Sequence, residues 1–442
     1  MNQGDFNMKH KMDRRHFLRT SALAGGAALA LNRAPFISEL KAKTGPNTGT
    51  STVGLASGPD HVDNIFQALQ PLKNKIAAAI GNRPVLIKPN CVSHGTTALA
   101  DTPVQCIEGI LEFLKSIGKT DVTVAENCPG GLTMTAFSSD GYFALLNKYP
   151  VRFKELSQEG SRPFLVWNSG TWDGTAGNYR PGGNPADGVL VAKMLLKPRN
   201  YFVISACRPK THNYQIATLG YKNMGMGCAL ENQTIYTPGQ SGWTDIKQHM
   251  HWAAGNAGSN TNNYKSGCQD LCDTLYMLAK WLAPDMEVID AYQGMEGSGP
   301  TGGTAVNQQL AIAGLDWLAV DRVAVEIMNV ATAVTQTPAF GDSTAWTDGG
   351  KTDSWPWPMY PAALNYCGQY QAQDGSTLGQ YDLSKIAVLG PSNRSFSSIQ
   401  NAITTQHANS ATTNYYGLHP SIANELVLGY GLREPANTAI NS

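Results

Sequence analysis

Short apolar runs, each closed by an ionisable residue, constrain this chain more than any other feature. Val85–Ile87 runs into Lys88, Asp121–Ala125 into Glu126, Tyr201–Ala206 towards Arg208 and Lys210, and Glu287–Ile289 into Asp290. Gln309–Ala313 is followed after a short turn by Asp316. These runs have the length of strands and no helical period. Between them, apolar residues recur at helical spacing, as with Ile65, Leu69, Leu72, Ile76 and Ile80 in the stretch Val62–Ile80. Thr102-Pro103 reads as a second helix start, with Thr102 at the N-cap and Pro103 at the first helical position. Strand, helix and strand in succession imply a parallel crossover. The expected fold class is α/β: a mostly parallel sheet with helices on both faces, plus long irregular insertions. In such a sheet the strand ends lie along one edge, where open α/β folds bind their ligands.

Three regions follow along the chain. Residues 1–50 are expected to be a leader and linker, 51–330 an α/β core domain, and 331–442 an irregular extension whose last strand, Lys385–Leu389, packs on the core. Within the core, helices are expected at Gln269–Leu282 and at Trp317–Met328, the second capped by Asp316. The Gly-, Asn- and Pro-rich residues 168–187 read as loop, as does the glycine-rich Gly294–Gly303. Residues 232–267 and 331–380 are polar and without period, and such long irregular runs imply a cover over something.

The N-terminus carries an address. Asp13-Arg14-Arg15-His16-Phe17-Leu18-Arg19 precedes a weakly hydrophobic, Ala- and Gly-rich run from Thr20 to Leu31. Paired arginines before such a run make a twin-arginine signal, so the translocation machinery is an expected partner and the expected location is periplasmic or extracellular. The run is shorter than the roughly 20 residues that span a bilayer, so no stable transmembrane anchor is expected.

With 33 basic and 33 acidic residues the formal net charge is zero, which argues against nucleic acid as a partner. Against that balance one stretch stands apart. From Gly188 to Leu230 there is no Asp or Glu, yet Lys193, Lys197, Arg199, Arg208, Lys210 and Lys222 all fall inside it. Pro209 favours an extended backbone at Arg208. Residues two apart in an extended segment share a face, so Arg208, Lys210 and His212 would project together. Lys222 opens KNMGMG, whose glycines let backbone approach a ligand closely. An anionic ligand is the expected partner of this stretch.

The blocks IKPN (Ile87–Asn90), RPKTHNYQIATLGYKNMGMG (Arg208–Gly227), and IDAYQGMEGSGPTGGT followed by GLDWLAVDRVA (Ile289–Ala324) resemble the bacterial and archaeal family known as domain of unknown function 362. The resemblance covers roughly residues 85–330 and implies an α/β domain without a generally assigned reaction. Many members of that family carry a ferredoxin-type iron–sulfur segment. The eight cysteines here are scattered, without the required spacing, so no iron–sulfur cluster is expected.

These readings converge on an enzyme acting on a small phosphate- or carboxylate-bearing substrate. Lys210, His212 and Glu126 are the candidates for catalysis. Lys88, Asn90, Arg208, Lys222 and Asn223 are candidates for binding the anion. Asp290 and Glu296 are candidate ligands of a divalent metal, since hard cations take oxygen ligands. His249 and His251 form a further candidate metal pair, set against an ordinary polar loop. A non-catalytic metal or cofactor carrier, folded before export, is the alternative, as is a surface binding protein. Each ionisable residue also has a plain structural alternative as a cap or an ion pair. A disulfide is compatible with export, but spacing does not pair the cysteines.

Overall fold

A computed structural model describes residues 49–172, 179–212, 215–230, 261–328 and 375–391, with Lys247, Met250, 347–348, 351–352, 363–364, 367–368, 370 and 372. The twin-arginine stretch, most of the 232–267 excursion, His249 and His251, and most of 331–380 lie outside the described residues. No helix among the described residues is long and apolar enough to cross a membrane.

The strands form a ten-stranded mixed sheet. Its members are β1 (Ser51–Ser57), β2 (Val85–Lys88), β3 (Val122–Glu126), β4 (Val151–Glu155), β7 (Phe202–Cys207), β8 (Lys210–His212), β9 (Ile216–Thr218), β10 (Met286–Glu296), β11 (Thr304–Gly314) and β12 (Ile386–Leu389). A separate antiparallel pair, β5 (Ser161–Trp172) and β6 (Tyr179–Ala192), stands between β4 and β7 in the chain. The main order is β12-β1-β11-β10-β7-β2-β3-β4, with β8 attached to β10 and β9 to β8. From β10 through β7, β2 and β3 to β4 every pairing is parallel. Only β11 and β9 run against the rest.

Helices cover both faces. On one lie α1 (His61–Leu69), α2 (Lys73–Ile80) and α3 (Val104–Ser116), whose Ile65, Leu69, Ile76, Ile107 and Ile110 pack with Val85, Ile87, Val124 and Ile204. The small α4 (Thr133–Ser139) follows β3. On the other face lie α5 (Gly220–Gly225), α6 (Thr261–Leu282) and α7 (Trp317–Ile327), whose Tyr221, Leu275 and Val320 pack with Leu86, Val203 and Ile289. Alternate residues of β2 and β7 thus enter opposite cores, which is why those strands read as unbroken apolar runs.

Several local expectations are corrected. The stretch Val62–Ile80 is two helices joined by a 3-10 turn at Gln70–Leu72, because Pro71 cannot donate to the helical ladder. Its apolar stripe is nevertheless buried throughout, from Ile65 to Ile80. Thr102 does not cap α3; Pro103 holds that position, while Thr102 Oγ1 donates to Ala206 O at 2.9 Å and accepts from Asn90 N at 2.9 Å. Residues 168–172 and 179–187 belong to the β5–β6 ladder, which its register shifts near Asn168 make irregular. Gly294–Glu296 are strand, and only the turn between Glu296 and Thr304 is loop, so β10 and β11 form a long antiparallel hairpin.

Asp316 ties three parts of this unit. It accepts from Ala319 N at 3.3 Å, capping α7, from the hydroxyl of Ser51 at the start of β1, and from Gln380 N at 2.9 Å. The last strand, β12, pairs parallel to β1 beside this knot. Asp316→Ala removes all three hydrogen bonds from a buried position and is expected to lower the unfolding free energy in urea by about 2 kcal/mol. An unchanged midpoint would show that Asp316 does not join these parts.

Candidate functional site

The strand order reverses around β2: β3 and β4 are laid down to one side of it, β7 and β10 to the other. Ligands of open α/β sheets bind at such a reversal, beyond the carboxyl ends of the strands. Lys88 ends β2 there and is fully buried. Its ammonium donates to Glu126 at 2.8 Å, to Asn223 Oδ1 at 3.0 Å and to Pro89 O at 3.1 Å. Glu126 ends β3, and its Oε1 also accepts from Asn127 N at 2.8 Å. Burial pushes the Glu126 carboxyl up, and the charge of Lys88 opposes that. Asn223 on α5 returns to β2 and β7 through its amide, which donates to Lys88 O at 3.2 Å and Ser205 Oγ at 3.1 Å. A buried ion pair with its remaining valences filled can be held only by a well-determined geometry.

Glycine makes room for this arrangement rather than for a ligand. A side chain at Gly227 would come within 2.5 Å of Lys88 Nζ and 2.2 Å of Asn223 O. Gly225 faces Leu275 in the same way, at 2.5 Å. Here the reading of KNMGMG as a ligand-approach loop is corrected: its glycines admit the lysine and the core. Asp321 of α7 fixes the start of α5, accepting from Gly220 N and Tyr221 N at 3.0 Å each. Below it lies Glu287, whose carboxyl is pushed well above its usual range by burial and by the Asp321 charge. Neither reaches the rim, but together they set where Lys222 and Asn223 stand.

A second group forms where β7 passes into β8. Arg208 Nε donates to Asp101 O at 3.0 Å and its Nη1 to Gln293 O at 3.0 Å. Lys210 Nζ donates to the neighbouring carbonyl of Ala100. Arg208 and Lys210 therefore both reach the loop 89–102. Burial lowers the Arg208 guanidinium from its ordinary value, with Asp290 the chief opposing charge. Lys210 is fully buried, and among the described residues its amine enters no ion pair. Burial pushes it down to about 8. Lys222 is driven well below its ordinary value, first by burial and then by the charges of Lys210 and Lys247. Lys247, a buried residue that the sequence did not single out, is thus a third lysine near enough to act on Lys222. His212 ends β8 and is buried.

Asp290 sits on the hairpin strand β10 with a partner the sequence did not suggest. His61 Nε2, at the start of α1, is 2.5 Å from Asp290 Oδ2, and Tyr292 N donates to Asp290 Oδ1 at 3.1 Å. The His61 ring stacks on Tyr292 at 4.4 Å between centroids, and Tyr292 Oη donates to Pro59 O. A carboxylate fixing one imidazole nitrogen sets the tautomer of the other. Only the first-turn position of His61 in α1 could have drawn attention to it, because its partner lies 229 residues away.

Two further candidates stand on the elements around these groups. Asn90 folds its own loop, its Oδ1 accepting from Val92 N at 3.2 Å. Glu296 lies six residues beyond Asp290 along β10, opposite Thr304. Among the described residues no three or more His, Cys, Asp or Glu side chains gather as a metal site. Asp290 and Glu296 are thus not brought together as a metal pair, because Asp290 is committed to His61 and the strand carries Glu296 away from it.

Lys210 gives the site a pH signature. Below about pH 8 its ammonium is buried in the folded chain at full cost; between about 8 and its ordinary 10.5 the folded chain has lost the proton while the unfolded chain keeps it. Stability from this group therefore rises with pH across that window. Between pH 7.5 and 9.5 the wild-type stability is expected to rise by about 2 kcal/mol more than that of Lys210→Met in anion-free urea unfolding. Parallel pH curves for the two proteins would contradict it.

A family model described as "Domain of unknown function (DUF362)" matches residues 85–326, more than half of the chain and a span running from Lys88 through α7. No curated protein and no solved structure matches the chain.

Proposed function

The chain belongs to the DUF362 family, and from that premise we propose that it is an enzyme for a small phosphate- or carboxylate-bearing substrate, held at the rim of the sheet. One observation carries the proposal: Lys210 is fully buried at the rim, donates to the carbonyl of Ala100, and is pushed by burial down to about 8. An anion beside a buried amine favours its charged form. Perturbed groups of this sort gather at functional sites more often than elsewhere.

In this reading Lys210 and Lys222 hold the anionic group, with Lys247 and Arg208 adding positive potential. Lys88, Glu126 and Asn223 are positioning residues, since they neutralise one another and fix α5. His61, oriented by Asp290, is the group suited to moving a proton. His212, at the end of β8, is the second candidate for that role. Lys210, with a value near 8, is also a nucleophile at neutral pH whenever its proton leaves.

Calorimetric titration with inorganic phosphate and with small carboxylates tests the binding step. Lys210→Met is expected to weaken the tightest of these at least tenfold while leaving the far-ultraviolet circular dichroism unchanged. Equal affinity in the two proteins, or no anion bound by the wild type, would sink the proposal.

We further propose that the chain is exported through the twin-arginine route, on the strength of Arg14-Arg15-His16-Phe17-Leu18 ahead of its apolar run. Replacing both Arg14 and Arg15 by lysine is expected to hold the protein in the cytoplasmic fraction of a host that has the translocase. Undiminished export of that variant would refute the assignment.

A further inference from the structure

Past the ends of β2 and β3 the chain continues in step. Ile87 faces Val124 across the parallel ladder, and the same offset brings Cys91 opposite Cys128, each four residues further on. Both are free thiols and both are buried. Cys128 lies near enough to Cys91 to raise its thiol, and Cys91 near enough to Asp140 to lower its carboxyl, so the three groups are neighbours. Asp140 stands at the solvent side, partly exposed at the end of α4. Its Oδ2 is buried without a hydrogen-bond partner among the described residues. Two neighbouring thiols, a carboxyl beside one of them, and a common position on neighbouring strands form an arrangement that none of the anion-site residues needs.

We propose that Cys91 and Cys128 are a redox-convertible pair that closes to a disulfide across the ends of β2 and β3. The oxidant is the disulfide of a thiol–disulfide exchange partner. Cys91 gives its proton to Asp140 and attacks one sulfur of that disulfide, forming a mixed disulfide while the other sulfur leaves as a thiolate. Cys128 then loses its proton and attacks the Cys91 sulfur, forming the internal bond and expelling the second thiolate. Two electrons pass to the partner, whose disulfide is reduced to two thiols, and two protons leave the cysteine pair. Burial pushes the Cys91 thiol well above its ordinary value, so the first step is slow and waits on local opening beside Asp140.

The bond has a consequence for the rim. Cys91 opens the loop that carries Ala100 and Asp101, the carbonyls that receive Lys210 and Arg208. A disulfide to Cys128 fastens the root of that loop to the strand that ends in Glu126. An oxidising compartment would therefore be the setting in which the pair closes.

The test is a thiol map of the full folded chain. The protein is incubated with oxidised glutathione for a day, unfolded, alkylated with iodoacetamide, digested and weighed by mass spectrometry. The expected result is one cross-linked peptide joining Cys91 to Cys128 and six alkylated cysteines of the eight. Cys128→Ala is expected to yield no cross-link and to leave Cys91 as the glutathione adduct. Full alkylation of all eight in the wild type, or Cys91 joined to any other cysteine, would overturn the proposal without touching the anion site.

Discussion

An ammonium group taken out of water has three outcomes: it finds a counter-charge, it gives up its proton, or it waits for an anion. The rim of this sheet shows the first two. Lys88 is neutralised by Glu126 and held by Asn223. Lys210 has only a carbonyl among the described residues and is lowered to about 8. Lys222 stands among like charges. The first lysine is part of the framework; in the proposed reading Lys210 gives that framework a use. Breaking the Lys88–Glu126 pair would leave one buried charge without its partner, which costs more than the pair itself contributes.

The framework exists because five strands run parallel from β10 to β4. Parallel pairing sends their carboxyl ends to one side, and the reversal of strand order at β2 opens that side between β2 and β7. The chain then closes on the opening from three directions. The loop 89–102 supplies carbonyls for Arg208 and Lys210, α5 supplies Lys222 and Asn223, and the β10–β11 hairpin supplies Asp290. Asp321 lies behind α5 and fixes its start, with the buried Glu287 beside it, so a carboxylate deep in the core sets the position of Lys222.

Much of this was legible in the sequence because it is local. Apolar runs of strand length gave the parallel core, and the alternation of Arg208 with Lys210 gave two side chains that do turn towards one loop. Asp316 was legible as a cap from its position before an apolar helix. What escaped was whatever depends on register or on distant partners. The β10–β11 hairpin was hidden because glycine in Gly294–Glu296 reads as loop until pairing with Thr304–Val306 is known. His61 lacks meaning without Asp290, and Cys91 without Cys128, because a common offset between strands emerges only after they pair. The glycines of KNMGMG misled for a related reason: a missing side chain signals close approach, but not by what.

The central proposal is that Lys210, buried at the rim with a carbonyl as its hydrogen-bond partner, has a demand for negative charge that an anion meets. Proton uptake on anion binding measures that demand directly. Titrations with phosphate at pH 8.5, run in two buffers of different ionisation enthalpy, separate the protons exchanged from the heat of binding. An anion that raises the Lys210 value from about 8 restores its proton, so net uptake per anion bound, beyond that due to phosphate itself, is expected. Binding with no uptake, or with release of protons by the protein, would contradict the claim.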